Sequence, residues 1–153
     1  RLGVQPPRLY KPIAGQDALQ RTIEARAKAE LAEVMRDAAV GRSGADAVRS
    51  IAAEYRRWAK AHPGRYAATL AAPDPADADA LAASVRAVDV LRDALAAYGL
   101  EGDDEIDAIR TLRSGLHGFV ALEAAGGFGL PLDVDRSFER LVDALVATLP
   151  SGR

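Results

Sequence analysis

No cysteine occurs anywhere in the chain. That excludes a disulfide framework, a thiolate zinc site and a cysteine nucleophile together, and it suits a reducing compartment such as the cytoplasm. Aromatic residues make up only 5%, and there are two histidines, one tryptophan and one methionine. No apolar run is long enough to cross a bilayer, so no membrane role is expected. The opening Arg1-Leu2-Gly3-Val4 lacks the apolar centre of a signal peptide. No segment of useful length alternates apolar and polar residues as a strand does.

Enzyme signatures are missing too. His62 and His117 are preceded at three residues by Ala59 and Ser114, so the Glu-x-x-His pair of a di-iron bundle is absent. There is no His-Glu-x-x-His, phosphate-binding loop or Gly-x-Ser-x-Gly. Gly126-Gly127-Phe128-Gly129 follows a helical pattern rather than a strand, which argues against a nucleotide loop. No catalytic residue, metal site or cofactor is expected.

What is present points to helices. The 153 residues are 49% hydrophobic and 27% charged, rich in alanine, leucine, arginine and glutamate. Net charge is −2, unevenly placed. The first sixteen residues carry Arg1, Arg8 and Lys11 and no acid, so the other 17 basic residues stand against all 22 acids. A small basic head on an acidic body suits a DNA-contacting end on a different kind of body.

Residues 2–11 read as a Gly3-Val4 turn and a short helix opened by Gln5-Pro6-Pro7, with a break at Pro12 and Gly15. A long helix is expected from about Gln16 to Ala39. Ser43-Gly44-Ala45-Asp46 reads as a capping box opening a helix with Val48, Ile51, Tyr55, Trp58 and His62 on one face. Arg49, Arg56, Arg57 and Lys60 fall mainly on its other faces. Pro63 begins a short helix through Leu70. Asp74 is expected to cap the next one, with Pro75 at its first position and a stripe of Leu81, Val85, Val88, Leu91, Leu95 and Tyr98 ending at Gly99. Asp103-Asp104-Glu105 opens a helix bearing Ile109, Leu112, Leu116, Phe119 and Val120. A last helix carries Phe138, Leu141, Val142, Leu145 and Leu149. The expected fold is an all-α bundle.

The two C-terminal helices have apolar faces wider than one neighbour covers. Either they complete a monomer core or they pair with a second copy across a twofold axis. The surplus area favours a homodimer, through Phe119, Phe138, Leu141, Val142, Leu145 and Leu149.

At this point the residues resemble a known family. Arg1 through Lys11 looks like the end of a TetR-family helix-turn-helix, where a Gly-Val turn precedes a recognition helix closing in Leu-Tyr. Ala14-Gly15-Gln16-Asp17-Ala18-Leu19 resembles the start of the connecting helix. Leu116-His117-Gly118-Phe119-Val120-Ala121-Leu122-Glu123, with Asp133 through Phe138 and His62 through Tyr66, resembles the C-terminal subgroup named for a Trp/His-Gly signature. Proline at 12 replaces a frequent histidine, and Arg113 stands where the signature tryptophan is expected.

The resemblance implies a bacterial ligand-responsive regulator, a repressor, with residues 1–15 the remnant of the DNA-binding domain and 16–153 the ligand-binding and dimerisation domain. It implies that the chain begins inside the helix-turn-helix, so this stretch alone should dimerise but bind operator DNA poorly. Gln5, Pro6, Arg8, Tyr10 and Lys11 become the DNA-contacting candidates. Tyr55, Trp58, His62, Tyr66, Tyr98, Arg113, Leu116, His117 and Val120 become candidates for a mostly apolar effector cavity. Arg113 could equally pair with Asp107 or Glu123, and Gly118 would let another helix approach closely. A helical dimerisation or small-molecule-binding module that never touches DNA is the alternative reading.

Overall fold

The structure, a computed structural model, describes residues 12–150, and these form six α-helices and one 3-10 turn. Helix α1 runs Pro12–Ala39, α2 Gly44–Ala61 and α3 Pro63–Ala68. Helix α4 runs Ala78–Leu95 and continues into the 3-10 turn Ala96–Tyr98; α5 runs Gly102–Ala124 and α6 Val134–Ala147. Among the described residues no helix is long and apolar enough to cross a membrane.

The expected break at Gly15 is not there: α1 runs on through it. Pro12 is the first described residue of α1, and a first-turn position suits its fixed φ and its missing N–H. Gly15 lies inside the helix with nothing within 4 Å of where a Cβ would stand. Its cost, about 1 kcal/mol against alanine, is absorbed by a 28-residue helix. The inward face of α1 is Ala27, Lys28, Leu31, Ala32, Met35 and Ala38.

Helix α2 is the central strut and touches every other helix. Ser43 occupies its cap position but makes no side-chain bond. Instead its carbonyl accepts from the Ala47 N–H at 3.4 Å, and Gly44, at φ +55°, turns the chain in. The capping box is therefore present in sequence and unused in space. Helix α3 follows through His62, whose N–H donates to Trp58 O at 2.9 Å and whose carbonyl accepts from Tyr66 N.

Asp74 does not cap α4. Its carboxylate accepts from the Ala76 N–H at 2.9 Å and its carbonyl from Asp77 N at 2.9 Å, which closes a turn. Asp77 is the cap, accepting from Ala80 N at 3.0 Å. The inward face of α4 also differs from the aliphatic stripe. Ala80, Ala83, Val90, Ala94 and Leu95 are buried, whereas Leu81 is 38% exposed and Val85 53%. The small residues win because α4 lies along α1, its most extensive partner, and alanines on both helices allow close approach.

Helix α5 buries Ile109, Leu112, Leu116 and Val120. It ends in a Schellman-type turn in which Gly126 takes φ +69° and the Gly127 N–H donates to Leu122 O at 2.8 Å. Asp133 caps α6 by accepting from the Asp135 and Arg136 N–H groups. The close approach of α5 and α6 is made at Gly115, where a Cβ would lie 2.9 Å from a Leu145 methyl. Gly118, expected to serve that purpose, has no neighbour within 4 Å of a Cβ. Ile51, Leu95 and Val120 are the most deeply buried large side chains.

Candidate functional site

Between α1, α2, α4, α5 and the segment 69–73 lies a cavity of about 340 Å³. Helix α1 supplies Lys28, Leu31 and Met35, and α2 supplies Ile51 and Tyr55. Val88 and Leu91 come from α4; Ile109, Leu112, Arg113 and Leu116 come from α5. Exposed Leu70, Ala71, Ala72, Arg110 and Arg113 mark its mouth. The body of the lining is aliphatic, as a cavity for a mostly apolar small molecule requires.

The charged lining residues are all cations: Lys28, Arg92, Arg110 and Arg113. Two are neutralised locally. Arg92 pairs with Glu105 at 3.0 Å and Asp89 at 3.3 Å, and Arg110 with Asp107 at 3.5 Å. Lys28 and Arg113 take part in none of the ion pairs among the described residues. The Lys28 ammonium donates to Ala71 O at 2.8 Å, and Arg113 donates to Leu70 O at 3.3 Å. Burial lowers the Lys28 pKa, and the nearby Arg113 charge pushes the same way against the opposing pull of Glu24 and Asp77.

Behind the cavity wall runs a chain of hydrogen bonds. The Tyr55 and Tyr66 hydroxyls are 2.9 Å apart, and the Tyr66 hydroxyl lies 2.6 Å from His117 Nδ1. One consistent arrangement has Tyr55 donating to Tyr66 and Tyr66 donating to His117. Burial raises the pKa of both phenols, so both stay protonated at neutral pH.

Of the residues singled out as ligand-binding, Tyr55, Arg113 and Leu116 line the cavity. Tyr66 and His117 stand one step behind Tyr55. The remaining four lie elsewhere. Trp58 is buried against α1, its indole N–H donating to Glu30 at 3.2 Å and its ring 5.5 Å from His62. His62 is the α2–α3 junction, Tyr98 sits in the 3-10 turn near Gly44, and Val120 belongs to the solid core. The contribution of α1 was missed. Its signal was readable: Lys28, Leu31 and Met35 share one helical face, which puts a cation on an apolar stripe.

Neither proposed partner of Arg113 is available to it. Asp107 takes Arg110, and Glu123 takes Arg56 and Lys60. Arg56, expected away from the apolar face of α2, is 9% exposed. It donates to both Glu123 oxygens at 2.7 Å and to Asp135 at 2.7 Å, with its guanidinium 4.8 Å from the Phe138 ring centre. These bonds, chiefly Arg56 and then Lys60, hold the Glu123 pKa down at about 2 against the opposing effect of burial.

Of the six residues picked for a dimer interface, three are buried and three half-buried in this chain. Phe138, Val142 and Leu145 are buried in this chain's own core, and Phe119, Leu141 and Leu149 pack against it half-buried. The outward surface of α5 and α6 mixes the charged Arg110, Arg136, Glu139, Arg140 and Asp143 with the small Ser114, Ala121, Ala144 and Ala147, the exposed Leu122 and the half-buried Gly118. Leu130 and Leu132, in the α5–α6 connection, are 77% and 73% exposed. The DNA-contacting candidates Gln5, Pro6, Arg8, Tyr10 and Lys11 lie outside the described residues.

Residues 48–145 match a family model described as "Tetracyclin repressor-like, C-terminal domain". The chain is 34% identical over 149 residues to Rv0681, an uncharacterised HTH-type transcriptional regulator of Mycobacterium tuberculosis, covering 96% of this chain and 67% of the relative. It is 30% identical over 135 residues to YobS, an uncharacterised HTH-type transcriptional regulator of Bacillus subtilis, covering 88% and 70%. Among solved structures it is similar to SCO4313, assigned as a regulatory protein, with a TM-score of 0.71, 26% identity and coverage of 95% and 80%. A Rhodococcus sp. RHA1 protein of unknown function shares the fold, at a TM-score of 0.72 and 22% identity over 88% of this chain and 75% of that one.

Proposed function

Because this chain belongs to the TetR family of transcriptional regulators, we propose that its cavity is an effector site whose occupation moves α1, and that two copies act as a dimeric repressor in the cytoplasm. One observation carries this reading. Helix α1 is unbroken from Pro12, directly after the segment that resembles a DNA-reading helix, to Ala39, and its Lys28, Leu31 and Met35 form part of the cavity wall. Lys28 stands sixteen residues from Pro12, about 24 Å along a helix at 1.5 Å per residue. A ligand that pushes on α1 there tilts a rigid lever, and its far end carries the DNA-contacting candidates Gln5, Pro6, Arg8, Tyr10 and Lys11. Ligand then biases the dimer between two head spacings, one of which fits the operator.

Filling the cavity without a ligand tests this. Leu91→Trp sets an indole into the void from α4. The full-length protein carrying this substitution should keep its melting temperature and lose affinity, tenfold or more, for an operator selected from random-sequence DNA. Full operator affinity in a folded, filled variant overturns the reading.

For the dimer, the face offered is the small-residue side of α5 and α6 with Gly118, Leu122, Leu130 and Leu132. The open space over Gly118, with exposed leucines nearby, would let two helix pairs cross closely. Gly118→Arg should give a monomer by light scattering; an unchanged dimer would move the interface elsewhere.

A further inference from the structure

We propose that the cavity selects an amphipathic carboxylate, with its acidic head between Lys28 and Arg113 and a hydrocarbon body of about ten carbons along Leu31, Met35, Val88 and Leu91. This deepens the effector reading above and rests on it.

The head is assigned by two converging cations. Lys28 is 6% exposed, on an otherwise apolar face of α1. Its ammonium has three donors, and one carbonyl, that of Ala71, takes one of them. Arg113 comes from the opposite wall on α5 and donates to the adjacent carbonyl, that of Leu70. Two neighbouring carbonyls on one strap thus bring two like charges to the same end of the cavity. Glu24 and Asp77, the acids whose fields reach Lys28, make no ion pair with it: Glu24 accepts from Gln20, and Asp77 caps α4. Burying an ammonium with a like charge beside it is unfavourable unless an anion completes the site. A carboxylate fits, since it can accept from a lysine and an arginine fork at once.

The body is assigned by size and lining. At the ~30 Å³ share of a water molecule in the liquid, 340 Å³ accommodates roughly ten to twelve non-hydrogen atoms. Leu31, Met35, Val88 and Leu91 offer that body no polar partner.

The test is calorimetric titration of the chain with decanoate, decanol and decyltrimethylammonium. Decanoate should bind one per chain, at least tenfold more tightly than decanol, and the cation should not bind. Lys28→Met should remove the preference of decanoate over decanol, and Lys28→Arg should retain most of it. Because Ala71 is exposed and its carbonyl can take a water, Lys28→Met should melt no lower than the parent. Equal binding of decanoate and decanol, no binding of decanoate, or an undiminished preference in folded Lys28→Met overturns the proposal. Lys28-dependent decanoate binding that leaves operator affinity untouched sustains this assignment and overturns the effector reading instead.

Discussion

The two sides of α2 are built on different principles. Toward α5 and α6 it is packed with large groups. The Phe119 ring stacks near Phe128 and Phe138, at 4.7 and 5.1 Å, and Arg56 lies over Phe138 while binding Glu123 and Asp135. Toward α1 and α4 it meets helices that join through alanines and, with the first half of α5, enclose a cavity holding two cations without carboxylate partners. The first side has its buried guanidinium matched by two carboxylates; the second has a void and cations without carboxylate partners. A region whose contacts are complete resists rearrangement, and one whose contacts are incomplete can respond to what completes them.

Substitutions on the two sides should therefore differ in size, and even in sign. The largest loss is expected for Arg56→Ala, which leaves the partly buried Glu123 with Lys60 alone and removes a guanidinium from two phenylalanine rings. The cost should be about 3–5 kcal/mol, a melting-temperature drop on the order of 10 °C by calorimetry. Acid attacks the same place. Glu123 ionises far more readily folded than unfolded, so its contribution is complete above its unfolded pKa and is lost as pH falls toward 2. The shift from 4.5 to about 2 is worth about 3 kcal/mol, so denaturant midpoints should fall steeply between about pH 5 and pH 2, and Glu123→Gln should flatten that slope. Next comes Gly115→Ala, whose Cβ would meet a Leu145 methyl at 2.9 Å; overpacking there should cost about 1–3 kcal/mol, while Gly118→Ala, with open space, should cost nothing in the isolated chain. Smallest is Lys28→Met on the cavity side, expected to be neutral or stabilising because it removes a buried charge that lacks a counter-ion. A large destabilisation from Lys28→Met, or a negligible one from Arg56→Ala, would break the contrast.

The same contrast explains what the sequence made readable. The helices and most of their ends are local matters of glycine, proline and periodicity, and Gly99, Gly126 and Asp133 end or begin elements as those residues suggest. Misreadings came where two local signals compete. Asp74-Pro75 and Asp77 both can cap a helix, and the first is used up in a turn. Gly15 can break a helix or sit inside one, and here α1 continues through it. The inward face of α4 was assigned to Leu81 and Val85 because size was read as burial, yet close helix approach selects the alanines. The cavity was partly legible: Tyr55, Arg113 and Leu116 line it. Trp58 and Val120 were drawn in because a buried aromatic or aliphatic residue looks the same in sequence whether it lines a void or fills a core. Lys28 was overlooked because a lysine in an alanine-rich helix reads as solvated surface.

The most direct measurement of the central claim is the distance between two spin labels, one on each protomer, at Gly15→Cys. That site is exposed on α1 with room for the label, and the chain has no other cysteine. Pulsed dipolar spectroscopy with and without saturating decanoate should show the distance distribution shifting by several ångströms, and the shift should vanish in Lys28→Met. An identical distribution in the two states, with decanoate demonstrably bound, would contradict the account.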